Sequence, residues 1–489
     1  MTAISEQMTR LGLGLTRRAA APATIDVDKA VAKAAIDLGI TASRSSEPLD
    51  RIVLKNATHH NAISYHHGAE ESFQAILDSL GKAKKSFHIE TFIWHDDNTG
   101  RKLAQALVDK VKAAQAKGQK FDAKVIIDSM GLGSGYGTQD KNIVKFLNDN
   151  GVEARVFNPN YVSLKAMGIP LTHRKIYLAD GEEYLVGGRN VGDEYFQKTY
   201  QLRFGDPKTT VNSYNDLLMK VRGDEAARVQ GQFYKNWANA GGTVPKEAPR
   251  PVPAPNGHST VETFVTDPYT GEKGIRQAHR AAIQNARHDI FVISPYFADR
   301  GLVNDLVAAK TQNTADRAAL FKRTQLTLTR YAHGPVPAEQ VQASVDKVLP
   351  ELKVRALIPM SGEKGKDLNY EMDMMTAKKL LSAGAEVRVS AGGVQNGEAV
   401  DRFSHFKGMM VDHKVLSVGS ANADHRTYFS NHEIINLVSD PAKVTEFGQT
   451  VAEPDWAAAH PIDLSWIAAN TNWKERTLRA VGNAFSWLY

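Results

Sequence analysis

The apolar and polar positions of this chain fall into two series that run in the same order. In the first, a helical pattern near 69–83 precedes a strand-like run at 86–94, and an Ala-, Leu- and Lys-rich helical pattern follows at 100–117. Residues 123–128 carry few charges and several β-branched side chains, the pattern of a buried strand. A helix near 139–150 then leads into a strand at 151–157. The second series repeats this with a helix at 273–287, a strand at 289–297, a helix at 301–311, a strand at 352–358, a helix at 370–382 and a strand at 384–390. Gly151 and Gly384 open corresponding strands 233 positions apart, whereas Glu90 matches Ser294 at an offset of 204. The second series therefore carries about 28 extra residues, which the polar stretch near 311–350 accommodates.

Strands alternating with helices predict the α/β class. The expected architecture is two similar α/β/α lobes, with mostly parallel sheets flanked by helices, packed with pseudo-two-fold symmetry and with the active site between them. Five prolines between Pro245 and Pro255 mark a linker. The reading divides the chain into an N-terminal arm (1–48), lobe 1 (49–242), the linker (243–258), lobe 2 (259–445) and a C-terminal helical segment (446–489). Residues 1–24 read as a loose or partly helical arm.

The chemistry sits at one point of each series. His173, Lys175 and Asp180 follow the pattern His-x-Lys-x4-Asp, and so do His405, Lys407 and Asp412. Each copy is followed by a glycine-rich turn and an asparagine, Asn190 and Asn422, 17 residues beyond its histidine. One such match is weak, but two at the same place in a repeated lobe are a strong signal. His and Lys two apart on an extended segment share a face, so facing lobes offer two imidazoles and two ammonium groups. That set suits a phosphodiester. Lys175, Lys407, Asn190 and Asn422 offset the charge on the phosphoryl oxygens. One neutral histidine attacks phosphorus, and the other donates a proton to the departing alkoxide. Asp180 and Asp412, seven residues past their histidines, belong at the far end of the strand or in its turn, where a structural role is favoured.

These residues resemble the phospholipase D superfamily over about 50–440, and within it the bacterial cardiolipin synthase and phospholipase D-like branch. The cues for the branch are the runs 187–195 and 419–427, where Arg426 and Thr427 stand at the end of the second motif. The resemblance implies catalytic roles for both His-Lys-Asp sets, with His173 as nucleophile and His405 as general acid and base. It also implies an acidic residue orienting each histidine. Glu433 stands at the matching position after the second motif, and Asp216 is the best match after the first. The implied activity is cleavage or exchange of a phospholipid head group through a phosphohistidine, as in cardiolipin synthesis. A nuclease on the same scaffold is the alternative, and a phosphate-binding protein with a dead site is the third reading.

Composition narrows this only slightly. The 489 residues are 42% hydrophobic and 23% charged, and 60 basic against 54 acidic residues leave a net charge of +6. That excess suits an anionic partner, phospholipid or nucleic acid. The absence of cysteine excludes disulfides and zinc–thiolate sites. No cofactor and no metal is expected; the pairs His59–His60 and His66–His67 read as solvated residues of a polar loop. No apolar run reaches 18 residues, and no secretory apolar region follows Arg17 and Arg18. The expected partners are thus a phospholipid substrate met by peripheral contact with a membrane surface, and no second subunit. Trp473, Leu478, Val481, Phe485 and Leu488 recur at helical spacing, as in an interfacial or packed helix. Tyr296 and Phe297 are candidates to line either an acyl groove or a base-stacking surface.

Overall fold

The apolar runs form strands close to their expected limits. In the computed structural model, which describes residues 26–40, 47–132, 140–159, 169–201, 210–331, 336–360, 368–391, 393–395, 398–400 and 403–471, lobe 1 contributes β1 (Thr58–His66), β2 (Ser86–Thr91), β3 (Asp122–Asp128), β4 (Glu153–Phe157), β5 (Ile176–Ala179), β6 (Glu183–Gly187) and β7 (Leu218–Gly223). Lobe 2 contributes β8 (Ser259–Asp267), β9 (Asp289–Ile293), β10 (Lys353–Met360), β11 (Glu386–Ala391), β12 (Gly408–Val411), β13 (Val415–Gly419) and β14 (Glu433–Ser439), and β15 (His460–Ile462) adds an edge. Residues 1–24, the glycine-rich residues 133–137, residues 361–367 and the pattern from Trp473 onward lie outside the described residues.

All fifteen strands belong to one sheet, in the order β15-β11-β10-β9-β12-β13-β14-β8-β1-β7-β6-β5-β2-β3-β4. Leaving β15 aside, this order reads the same from either end once lobe 1 strands are exchanged for their lobe 2 counterparts. The pseudo-two-fold therefore passes between β1 and β8, which pair antiparallel. Parallel pairing is confined to β2-β3-β4 and β9-β10-β11. The remaining pairs are antiparallel, because short turns such as the one between β5 and β6 can only reverse the chain. Ile176, Leu178, Phe291, Phe406 and Met410 share one apolar cluster, so side chains of both lobes fill it.

Four sequence expectations change here. The segment holding the paired histidines is not a loop: it is β1, at the centre of the sheet. His59, His60 and His66 bond separately to Thr260, Asp224 and Glu71, and no metal-binding group forms among the described residues. The helix expected at 301–311 runs from Arg300 to Tyr331, since neither Gly nor Pro occurs between Gly301 and Gly334 to stop it. The strand register matches Glu90 to Ile293, not to Ser294, since these residues face Ile176 and Gly408 in equivalent pairings. Phe297 is fully buried in the lobe 2 core and lines no groove.

Contacts divide the chain into two units, residues 46–312 with 352–489 and residues 1–45 with 313–351. In the smaller, helices Val27–Asp37 and Ala338–Val348 and the end of the long helix bury Val31, Ala35, Leu320, Leu328, Val341 and Val345 together. No described helix is long and apolar enough to cross a membrane.

Asp180 and Asp412 end β5 and β12 in equivalent ways. Each has a left-handed backbone, with φ of 56° and 54°. Asp180 accepts the N–H groups of Lys84, Lys85 and Ser86 at 2.8, 2.7 and 2.8 Å. Asp412 accepts those of Arg287, His288 and Asp289 at 2.9, 2.7 and 3.0 Å. Each carboxylate thus ties the entry of a central parallel strand to the end of the motif strand beside it. Asp180→Ala and Asp412→Ala should each cost about 2 kcal/mol, seen as a lower Tm, with turnover of the folded protein nearly unchanged. Lost turnover at an unchanged Tm would place the carboxylate in the chemistry instead.

Candidate active site

The motif histidines lie in extended segments just before β5 and β12, and each segment is tied to the other lobe. His173 N–H donates to His432 O (3.0 Å), and His432 N–H donates to Leu171 O (2.7 Å). In the mirror pair, His405 N–H donates to Asn215 O (2.7 Å) and Asn215 N–H to Phe403 O (2.9 Å). These bridges carry the next residues, Glu433 and Asp216, to the histidines opposite. His173 Nδ1 lies 2.9 Å from Glu433 Oε1, and His405 Nδ1 lies 2.7 Å from Asp216 Oδ2. Each histidine is therefore oriented by the carboxylate that follows the other motif. A carboxylate only accepts, so the proton sits on Nδ1 of each ring, and Lys407 Nζ stands 2.9 Å from His405 Nε2.

Small residues make room for this exchange. A Cβ at Gly188 would stand 2.5 Å from both Asp216 carboxylate oxygens. The corresponding residue of lobe 2, Ser420, instead donates its hydroxyl to Glu433, which Thr427 Oγ1 also approaches at 3.3 Å. Asp216 stands 43 residues beyond His173, and Glu433 only 28 beyond His405. The longer interval holds an extra two-stranded excursion, Thr199–Gln201 with Thr210–Asn212.

Both lysines are buried beside the histidines, and Lys175 Nζ donates to His173 O at 2.7 Å. Asn190 is already engaged: its Oδ1 accepts from Ile93 N–H (3.2 Å) and its Nδ2 donates to the Tyr195 hydroxyl (2.9 Å). Asn422 bonds Asp424, which burial pushes up to about 6. Phe92 meets His173 edge-on at 5.2 Å, while Tyr214 stacks on His405 at 5.6 Å and Tyr195 meets it edge-on at 5.4 Å. Sequence reasoning missed these tyrosines and Ser420, because nothing in their spacing repeats between the lobes, and it passed over Thr172, although a hydroxyl residue precedes both motif histidines.

Burial governs the protonation states. Desolvation holds His173 below its ordinary value, and desolvation with the Lys407 charge brings His405 down to about 3. Burial would raise Asp216 and Glu433, but their histidines and the lysines hold both below the usual carboxylate range. Lys175 is lowered well below its usual value by burial and by Lys407, and burial lowers Lys407 to about 8. Lys407 is charged below its depressed value and neutral above it, so its hold on an anion weakens as pH rises through about 8. With bis-p-nitrophenyl phosphate, a monoanion whose leaving group needs little protonation, kcat/KM should fall about tenfold per pH unit above this point. A flat profile from about pH 7 to about pH 9.5 would separate Lys407 from anion binding.

Comparison with known proteins fits this arrangement. The family described as "Cardiolipin synthase, PLD-like domain" matches residues 76–212 and 280–456, one segment in each lobe. Cardiolipin synthase 1 of Bacillus anthracis is 24% identical over 409 residues, which are 82% of this chain and 67% of that protein. Cardiolipin synthase of Geobacillus thermodenitrificans is 26% identical over 399 residues, covering 81% of this chain and 66% of its own. The crystal structure of phosphatidylserine synthase from Haemophilus influenzae covers 90% of this chain and 97% of its own, with a TM-score of 0.57 and 13% identity, a likeness of fold. With both lobes matched and the duplicated His-Lys motif brought to one site, the chain belongs to the phospholipase D superfamily, in its cardiolipin synthase-like family.

Proposed function

We propose that this chain is a phosphatidyltransferase that opens the phosphodiester of a phospholipid through a phosphohistidine at His173. The observation that carries the reading is the reciprocal pairing: two histidines, each oriented by the other motif's carboxylate, with two buried lysines between them. His173 Nε2 attacks phosphorus while the bond to the head-group oxygen breaks, and His405 delivers a proton to that oxygen. Water or a second alcohol then gives its proton to His405 and displaces the imidazole, restoring His173. Lys175 and Lys407, with the amides of Asn190 and Asn422, offset the charge of the phosphoryl oxygens in both steps. His405 takes this proton from water as the substrate binds. A phosphodiester places a negative charge beside the imidazole, which favours the imidazolium.

The relatives named as cardiolipin synthases support a lipid substrate, and a second phosphatidylglycerol is the acceptor that such a reaction would use. Contact with the bilayer is peripheral in this reading, and the enzyme acts as a monomer without a cofactor.

Purified protein with mixed phospholipid vesicles and ethanol should yield phosphatidylethanol, and His173→Ala should lose the product by more than about 10³-fold. Cleavage of DNA or bis-p-nitrophenyl phosphate with every lipid unchanged would keep the phosphodiesterase scaffold and remove the lipid assignment.

A further inference from the structure

The two histidines are equivalent in their carboxylate and backbone bridges, but the residues before them are not. Thr172, next to His173, is held from two sides. Asp128 Oδ2, at the end of β3, accepts the Thr172 N–H at 2.8 Å. Glu90, on β2, accepts the Thr172 hydroxyl, and Asn236 Nδ2 donates to the same Glu90 oxygen at 2.6 Å. Glu90, Asp128, Thr172 and Asn236 are all buried, and a second Asp128 oxygen is fixed by Met130 N–H at 2.8 Å. In lobe 2 the same strand positions are Ile293 and Pro359, neither of which has a side chain that accepts a hydrogen bond. Ser404 stands where lobe 1 has Thr172, and its buried hydroxyl has no partner among the described residues.

Two buried carboxylates are costly to retain beside apolar strands, and lobe 2 shows that the fold closes without them. They are confined to one lobe, against the peptide that precedes one histidine. The two histidines also face different demands. Forming a phosphorus–nitrogen bond is steep in distance and angle, whereas proton transfer tolerates the play of a hydrogen bond.

We infer that Glu90 and Asp128 are positioning residues which, through Thr172, hold His173 in place for in-line attack, and that this clamp is what distinguishes the nucleophilic histidine from the acid–base histidine. The inference rests on the phosphohistidine reading above. Neither carboxylate touches the substrate or the reacting atoms.

The test uses the full chain and the p-nitrophenol burst from bis-p-nitrophenyl phosphate, which separates attack from breakdown of the intermediate. Thr172→Val keeps the shape and removes the hydroxyl; it should slow the burst about 10- to 100-fold with KM unchanged. Thr172→Ser should recover most of that loss, and Ser404→Ala, the mirror change, should alter the burst by less than about threefold. Asp128→Asn carries the same expectation as Thr172→Val if the latter fails to fold. Equal slowing by Ser404→Ala, no recovery in Thr172→Ser, or an effect on KM alone would overturn the inference. Mass spectrometry of the trapped adduct separates the two levels of the argument. Phosphate on His173 supports the clamp, whereas phosphate on His405 overturns it and leaves a phosphohistidine enzyme. An active His173→Ala protein with no adduct on either histidine removes the phosphohistidine reading, and the clamp with it.

Discussion

The site depends on one constraint: each motif segment is hydrogen-bonded through its backbone to the segment that ends the other lobe's excursion. The bridges from Thr172–His173 to His432 and from Ser404–His405 to Asn215 are short, but they decide everything that follows. They place Glu433 against His173 and Asp216 against His405. They also close the inner faces of the lobes over the lysines, so that none of the four charged groups is solvated by bulk water. A lobe separated from its partner would keep a histidine and a lysine but lose the carboxylate that fixes the imidazole. Duplication therefore builds one site, not two half-strength copies.

Burial then sets the electrostatics. Desolvation, with the positive charge of the lysines, holds both imidazoles below their ordinary value. A phosphodiester changes this sign by sign. In the function proposed above it pairs with the lysines, and its charge makes a proton on one imidazole favourable. The same low-dielectric surroundings that depress both histidines when the site is empty strengthen the imidazolium–phosphate attraction once it is filled.

How much of this the sequence carried depends on whether it repeats. The helices around β2, β3, β9 and β10 were legible, since a buried parallel strand is a continuous apolar run between helical patterns. The histidines, lysines and asparagines were legible because their spacing recurs between the lobes. What failed was what periodicity does not encode. In β1 the run Thr58–His66 alternates so weakly that its three histidines read as a loop, although the strand forms the seam of the sheet. The long helix to Tyr331 was cut short because its polar residues masked an absence of helix breakers. Asp216 was found by type and neighbourhood. Its partner across the lobes could not be, because that follows from two backbone bridges and from the space left by Gly188.

The remaining asymmetry follows from duplication itself. In the function proposed above the two histidines have different tasks, and the two lobes differ beside them. Lobe 2 has Ile293 and Pro359 where lobe 1 buries Glu90 and Asp128. On the other side, the aromatic contacts are uneven in the opposite sense, with Tyr195 and Tyr214 against His405 and only Phe92 against His173. A ring face beside His405 is compatible with an imidazolium, whose charge the π-system attracts. A backbone clamp beside His173 suits an uncharged nitrogen that must meet phosphorus at a fixed distance. Within one pseudo-symmetric frame, the surroundings thus favour charge at one histidine and rigidity at the other.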